Sequence, residues 1–211
     1  MKILFQGDSI TDVRRDYEDR TSFGEGYALI TTATLGAKYP QKFSFLNFGW
    51  SGNHIHDVHH RIERDGWRYS PDLMSLLIGV NDVWHELDED NGKNIDANRF
   101  ECDLRKLVTE TIERLPNIKI ILMAPFLLKG PSTLDHWDQF STEVKKHAAA
   151  VERVAKDMNL HFLPLQDLFD EACALAPATY WVFDGVHPTP AGHKLIADRW
   201  MQYFEENIMD K

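Results

Sequence analysis

The chain contains only two cysteines, Cys102 and Cys173, far apart and without a Cys-x-x-Cys spacing. That scarcity argues against a disulfide framework and against a zinc knuckle, and leaves both as packed thiols on helices. Basic charge is also short: 23 Lys and Arg stand against 33 Asp and Glu, a formal net charge of −10. Proteins that grip a phosphate backbone need a basic face to release counterions. With no Lys/Arg cluster interrupting the acidic balance, no nucleic-acid partner is expected. Long apolar runs are missing as well. None approaches the roughly 20 residues that cross a bilayer, and Ile3-Leu4-Phe5 before Gly7 is too short for the apolar region of an export signal. The expectation is a cytoplasmic protein without membrane insertion. Internal repeats, low-complexity tracts and Gly/Ser linkers are absent too. At 211 residues and 43% apolar content, the chain is long enough for one core and too short to argue for two, so residues 1–211 read as a single domain.

What is present is an alternation of short apolar runs with longer segments of helical period. Lys2 to Gln6, Phe43 to Phe48, Leu73 to Ile78, Ile118 to Ala124 and His161 to Leu163 read as five strands, and their lack of polar alternation marks them as buried on both faces. Phe100, Leu104, Leu107, Val108, Ile112 and Leu115 recur at helical spacing, as do Phe140, Val144, Ala148, Val151, Ala155 and Met158. A last helix opens at Thr189-Pro190, a capping residue followed by proline at the first helical position. This pattern predicts an α/β fold: a three-layer α/β/α, flavodoxin-like sandwich around a central five-stranded parallel sheet. Such sheets place functional groups beyond their carboxyl ends. Gly7-Asp8-Ser9, Asn47 to Asn53 and Gly79-Val80-Asn81-Asp82 fall there. Arg14 to Gly24, His85 to Asn94 and Lys129 to Asp135 are candidate rim loops.

A serine hydroxyl is a poor nucleophile until a base takes its proton, and that base needs an acceptor on its other nitrogen. Ser9 follows the first strand. Asp184-Gly185-Val186-His187 precedes the last helix, with Pro188 stiffening the chain behind the histidine. An oxyanion would need donors, and the Gly52 and Ser9 N–H groups and the neutral Asn81 amide are suitable. Ser51 is a rival nucleophile, but it lacks the flanking glycines of a Gly-x-Ser-x-Gly elbow.

Taken together, Gly7-Asp8-Ser9, Asn47 to Asn53, Gly79 to Asp82 and Asp184 to Pro188 resemble, in order, the four blocks of the SGNH (GDSL-type) hydrolase superfamily. The resemblance implies Ser9 as nucleophile, Asp184 and His187 as its acid-base pair, and Ser9, Gly52 and Asn81 as the oxyanion hole. Gly7 to Asp12, Gly52 to Val58, Gly79 to Trp84, Ile121 to Phe126 and His187 to His193 look most like bacterial esterases that deacetylate xylo-oligosaccharides and related sugars. The implied reaction is acyl transfer on a small ester or an acetylated oligosaccharide, with no metal and no cofactor. Asp8, Trp50, Trp84 and Trp181 are candidate substrate contacts, and Tyr180 lies among them. Relatives often assemble as symmetric multimers, so a homo-oligomer is compatible with the resemblance, although the sequence does not specify one. The same triad also suits a lysophospholipase or acyl-thioesterase, and the fold also suits a carbohydrate-binding protein without turnover.

Two further clusters receive plainer readings. His54, His56, His59 and His60, with Asp57 among them, lack the His-Glu-x-x-His arrangement and read as a solvated helix face. Glu86 to Asp90 reads as a solvated acidic loop.

Overall fold

In the computed structural model, which describes residues 1–87 and 96–209, the strands are β1 (Lys2–Gly7), β2 (Ser44–Gly49), β3 (Leu73–Leu77), β4 (Lys119–Met123) and β5 (His161–Leu163). Each expected strand is present, displaced by no more than a residue at either end. They form one sheet in the order β2-β1-β3-β4-β5 with every pair parallel, as the strand-helix alternation predicts. The helices are α1 (Ser9–Asp12), α2 (Tyr27–Lys38), α3 (Ile55–Asp65), α4 (Val80–Leu87), α5 (Ala97–Arg114), α6 (Trp137–Asp157), α7 (Gln166–Ala172), α8 (Ala178–Trp181) and α9 (Pro190–Asn207). A 3-10 turn, Trp67–Tyr69, follows α3.

Side chains alternate across the sheet with period two. Ile3, Phe5, Leu73, Leu77, Ile121 and Met123 pack on one face with Leu35 of α2 and Trp200 and Phe204 of α9. Leu4, Met74, Leu76, Ile120 and Leu122 pack on the other with Ile62 of α3, Leu104 and Leu107 of α5, and Val151 and Val154 of α6. Both faces are covered, which explains the unbroken apolar strands. Ser75, a polar residue inside β3, is buried and accepts from Trp200 Nε1 at 2.9 Å.

The helical stripes are close to those expected. In α5, Phe100, Leu104, Leu107 and Val108 are buried. In α6 the buried stripe includes His147, Ala150 and Val154 where the apolar spacing pointed to Ala148 and Met158. His147 is wholly buried, its Nδ1 2.9 Å from the Glu143 carbonyl, so a polar residue holds a core position. Thr189 caps α9, accepting from Gly192 N at 3.2 Å, and Pro190 stands at its first turn. Residues 85–87 continue α4 rather than forming a loop. The rest of the His85 to Asn94 stretch, and most of the acidic run Glu86 to Asp90, lie outside the described residues. Among the described residues, no helix is long and apolar enough to cross a membrane.

Register fixes the site. Gly7 at the end of β1 stands beside Gly49 of β2 and Leu77 of β3, so the three strands finish together. The chain leaves β1 toward β2 on one side and returns through β3 on the other. That reversal opens a crevice at the carboxyl edge.

Candidate active site

β1 ends where Asp8 caps a single helical turn: its Oδ1 accepts from Ile10 N at 3.0 Å, and its carbonyl accepts from Asp12 N at 2.9 Å. Asp8, not Ser9, is therefore the capping residue. Ser9 is the first residue of the turn, half-buried, with a backbone N–H that has no acceptor inside the helix.

Across the crevice, the segment between α8 and α9 is folded back on itself, with Phe183 N donating to the His187 carbonyl at 2.8 Å. Gly185 has φ +105°, and a Cβ there would stand 2.6 Å from the Leu128 carbonyl, so the turn requires glycine. The segment before α6 braces it from outside. Leu128 N donates to Gly185 O and Ser132 N to Asp184 O, both at 2.9 Å. The Asp184 carboxylate accepts from Val186 N (2.9 Å) and His187 N (2.8 Å) on Oδ1, and its Oδ2 is 2.8 Å from His187 Nδ1. The His187 Nε2 is 3.0 Å from Ser9 Oγ. With the proton on Nδ1 held toward Asp184, Nε2 accepts from the serine hydroxyl.

Electrostatics follow from these contacts. Burial alone pushes the Asp184 carboxyl up, but hydrogen bonds from the His187 ring and from two backbone N–H groups outweigh it and hold it at about 2. The hydrogen bond to Asp184 raises His187 above the ordinary histidine range despite partial desolvation, and the charge of Asp8 adds to the rise.

The remaining block residues converge on the same edge. Gly52 has φ +77° and is exposed, with no atom within 4 Å of where a Cβ would stand, leaving its backbone open to an approaching ligand. Asn81, in the first turn of α4, is buried and donates from Nδ2 to the Asn53 carbonyl at 3.1 Å, tying the Gly52 loop to the end of β3. Asp82 adds a second tie, accepting from Ile55 N at 3.1 Å. Asn81 and Asp82 thus belong to the first turn of a helix.

The four expected substrate contacts are distributed unevenly. The Trp84 ring lies 5.8 Å from that of His187 and also packs on Phe140. Trp50 turns instead onto Tyr17, stacked at 4.3 Å. Trp181 packs edge-on against Tyr180, and its indole N–H is buried with no hydrogen-bond partner among the described residues. Asp8 is 1% exposed, so its carboxylate serves the α1 cap rather than the crevice surface, and burial pushes it up to about 7.

The histidine cluster is less solvated than expected. His54 is buried before α3 and meets Asp57, with Nδ1 and Oδ2 3.1 Å apart; His59 Nε2 lies 2.7 Å from Glu110. The donor atoms of His54, His56 and Asp57 lie within 4.8 Å of one another, but the carboxylate is taken up by the two imidazoles.

Three organising residues are not apparent from motif spacing. Arg61 donates to Asn53 Oδ1 (2.6 Å), Gln6 Oε1 (2.9 Å), Phe48 O (2.8 Å) and Gly7 O (3.1 Å), joining the ends of β1 and β2 to the Gly52 loop. Gln6, a polar residue closing an apolar strand, was the available signal. Asp12 accepts from Ser51 N at 3.0 Å and from the Ser51 hydroxyl, so Ser51 faces a carboxylate, not a histidine. His193, held down to about 4 by burial, takes the Tyr27 N–H on Nδ1 at 3.3 Å.

A serine, a histidine and an aspartate in one hydrogen-bonded chain at the carboxyl edge of a parallel sheet are the arrangement of a serine hydrolase. Residues 5–195 match the GDSL-like Lipase/Acylhydrolase family, and the chain belongs to that family. It is 34% identical over 209 residues to an acetylxylan esterase of Geobacillus stearothermophilus, covering 95% of this chain and 92% of that protein. The crystal structure of Axe2, an acetylxylan esterase from Geobacillus stearothermophilus, superposes with a TM-score of 0.85 at 32% identity, covering 95% and 92% of the two chains. A GDSL-like protein from Parabacteroides merdae ATCC 43184 gives a TM-score of 0.89 at 38% identity, covering 95% and 94%.

Proposed function

We propose that this protein removes acetyl groups from xylo-oligosaccharides or related sugars through an acyl-enzyme on Ser9. The observation that carries the reading is the unbroken chain from Ser9 Oγ through the His187 ring to Asp184. In the first step Ser9 Oγ attacks the ester carbonyl as its proton passes to Nε2. The tetrahedral oxyanion is met by the N–H groups of Ser9 and Gly52 and by the Asn81 amide, and losing one such donor typically costs roughly a hundredfold to a thousandfold in rate. The imidazolium then gives its proton to the departing sugar oxygen, leaving acetyl on Ser9. In the second step water, deprotonated by the same nitrogen, releases acetate and restores the serine. Asp184 holds the tautomer and stabilises the imidazolium.

Structures of Axe2 include catalytic mutants in which a serine, an aspartate or a histidine is replaced by alanine, and that aspartate and histidine stand three positions apart, as Asp184 and His187 do. We further propose a cytoplasmic setting, which the two unpaired thiols suit.

The test is acetate release from acetylated xylo-oligosaccharides beside aryl acetate, butyrate and octanoate. The expected result is sugar deacetylation with the acetate ester preferred among the aryl esters. A strong octanoate preference would instead support the lysophospholipid or thioester reading. Oligosaccharide binding without turnover would support the non-catalytic one.

A further inference from the structure

No basic cluster stands out along the sequence, yet the fold gathers one. Arg15 and Arg20 from the loop after α1, with Arg64 and Arg68 from the end of α3 and the turn behind it, line a cavity of about 220 Å³. Each guanidinium lies over an aromatic face: Arg15 is 4.7 Å from the Tyr17 centroid, Arg64 5.7 Å from Trp50, and Arg20 and Arg68 are 5.6 and 4.9 Å from Tyr69. These contacts hold the guanidiniums in place. Arg15 and Arg64 are turned onto protein acceptors, whereas among the described residues the Arg20 guanidinium makes no hydrogen bond and Arg68 gives one N–H to the Tyr69 hydroxyl at 2.8 Å, so those two keep N–H groups available.

Charge compensation in the cleft is incomplete. Arg64 pairs with Asp65 at 2.7 Å, but among the described residues Arg15, Arg20 and Arg68 form no ion pair. Arg15 is 5% exposed, and its guanidinium donates only to the carbonyls of Gly49 (3.3 Å) and Asp16 (3.4 Å). Against four arginines the lining offers two carboxylates, Glu18 and Asp65, and the charges of Asp12 and Asp16 also act on Arg15, so with Arg64 paired to Asp65 the charges left least offset are those of Arg20 and Arg68. A concave positive site in an otherwise acidic protein is suited to an anion.

One wall of the cleft is continuous in backbone with the loop that carries Gly52. Trp50, in that wall, stands two residues before Gly52, and its N–H donates at 3.0 Å to the carbonyl of Gly7, two residues before Ser9. At about 3.5 Å of chain per residue, Trp50 lies within roughly 12 Å of Ser9. Tyr17, stacked on Trp50 in the same wall, donates its hydroxyl at 2.6 Å to Asp12, the carboxylate that also holds Ser51.

We propose that this cleft is a subsite for the carboxylate of a uronate unit carried by the acetylated oligosaccharide, so that acidic chains are preferred over neutral ones. The inference rests on the carbohydrate-esterase reading above. A carboxylate matches the guanidinium fork in two parallel hydrogen bonds, and the Trp50–Tyr17 edge offers apolar surface to the sugar bearing it.

The test compares kcat/KM on acetylated xylo-oligosaccharides of equal length, with and without one uronate substituent, for the wild type and for the double variant Arg20→Ala/Arg68→Ala. Both arginines are exposed, and the acidic-to-neutral ratio is internal to each preparation, so partial misfolding cancels. The expected ratio is about tenfold in the wild type at low salt, shrinking as salt screens the charges and falling to near one in the variant. Equal kcat/KM on the two substrates in the wild type overturns the uronate subsite alone, whereas no acetate from either, with aryl acetate still cleaved, overturns the carbohydrate reading itself. A lower assembly mass in the variant by light scattering, with the ratio unchanged, also overturns the subsite and assigns the arginines to contact with a second copy.

Discussion

Asp184 and Asp8 both act on the charge of His187 from opposite walls of the crevice, yet their surroundings drive them in opposite directions. Asp184 sits on a half-buried turn, receives two backbone N–H groups and an imidazole, and is held at about 2. Asp8 is buried behind Ser9, keeps one oxygen without a partner among the described residues, and is pushed up to about 7. Asp82, buried near the same wall with one unpartnered oxygen, is pushed to about 8. Depth of burial first, and then the number of donors, decides which carboxylate is held as the anion.

The largest way to break that comparison is Asp184→Asn. The amide no longer enforces the tautomer, and kcat should fall by about a thousandfold to ten-thousandfold in steady-state assays. The acid limb of kcat/KM sharpens it. In the proposed mechanism His187 must be neutral to accept the serine proton, and Asp184 raises its pKa, so wild-type activity should be lost as pH falls through a value above the ordinary histidine range. In Asp184→Asn the limb should move to lower pH. An unmoved limb would mean that Asp184 does not set the histidine.

On the other wall the sign reverses. A carboxyl raised to about 8 stays protonated in the folded protein while the unfolded chain ionises from about pH 4, so stability declines as pH rises through that window. Asp82→Asn keeps an acceptor for Ile55 N and removes the titration. It should be more stable than the wild type by about 1–3 kcal/mol at pH 8.5 and show little of that gain at pH 4, by thermal or urea unfolding. A gain independent of pH would contradict the account. The smallest effect belongs to Trp84→Ala. Losing an aromatic face beside His187 should raise KM for aryl acetate roughly fivefold with kcat changed less, read from saturation curves.

How much was legible beforehand follows the same division. Strands β1 to β5, the Thr189-Pro190 helix start and the order of the four blocks are written locally, in apolar runs, a cap and short motifs, and each appears where expected. Contacts made at a distance are not written locally. Arg61 joins Gly7, Phe48 and Asn53 through a side chain whose reach no spacing encodes. The arginines of the cleft come from two segments separated by more than forty residues, so neither shows a cluster by itself. His147 occupies a core position because the α6 stripe is set by what it packs against, and Asp8 disappears beneath the serine that its motif highlights.

The central claim is that Ser9, not Ser51, is the nucleophile. Ser51 donates its hydroxyl to Asp12, whereas Ser9 faces His187. Mass spectrometry of the protein treated with a fluorophosphonate tests this directly. The account predicts one adduct, mapped to the peptide bearing Ser9 and absent from Ser9→Ala. An adduct on Ser51, or equal labelling of Ser9→Ala, would contradict it.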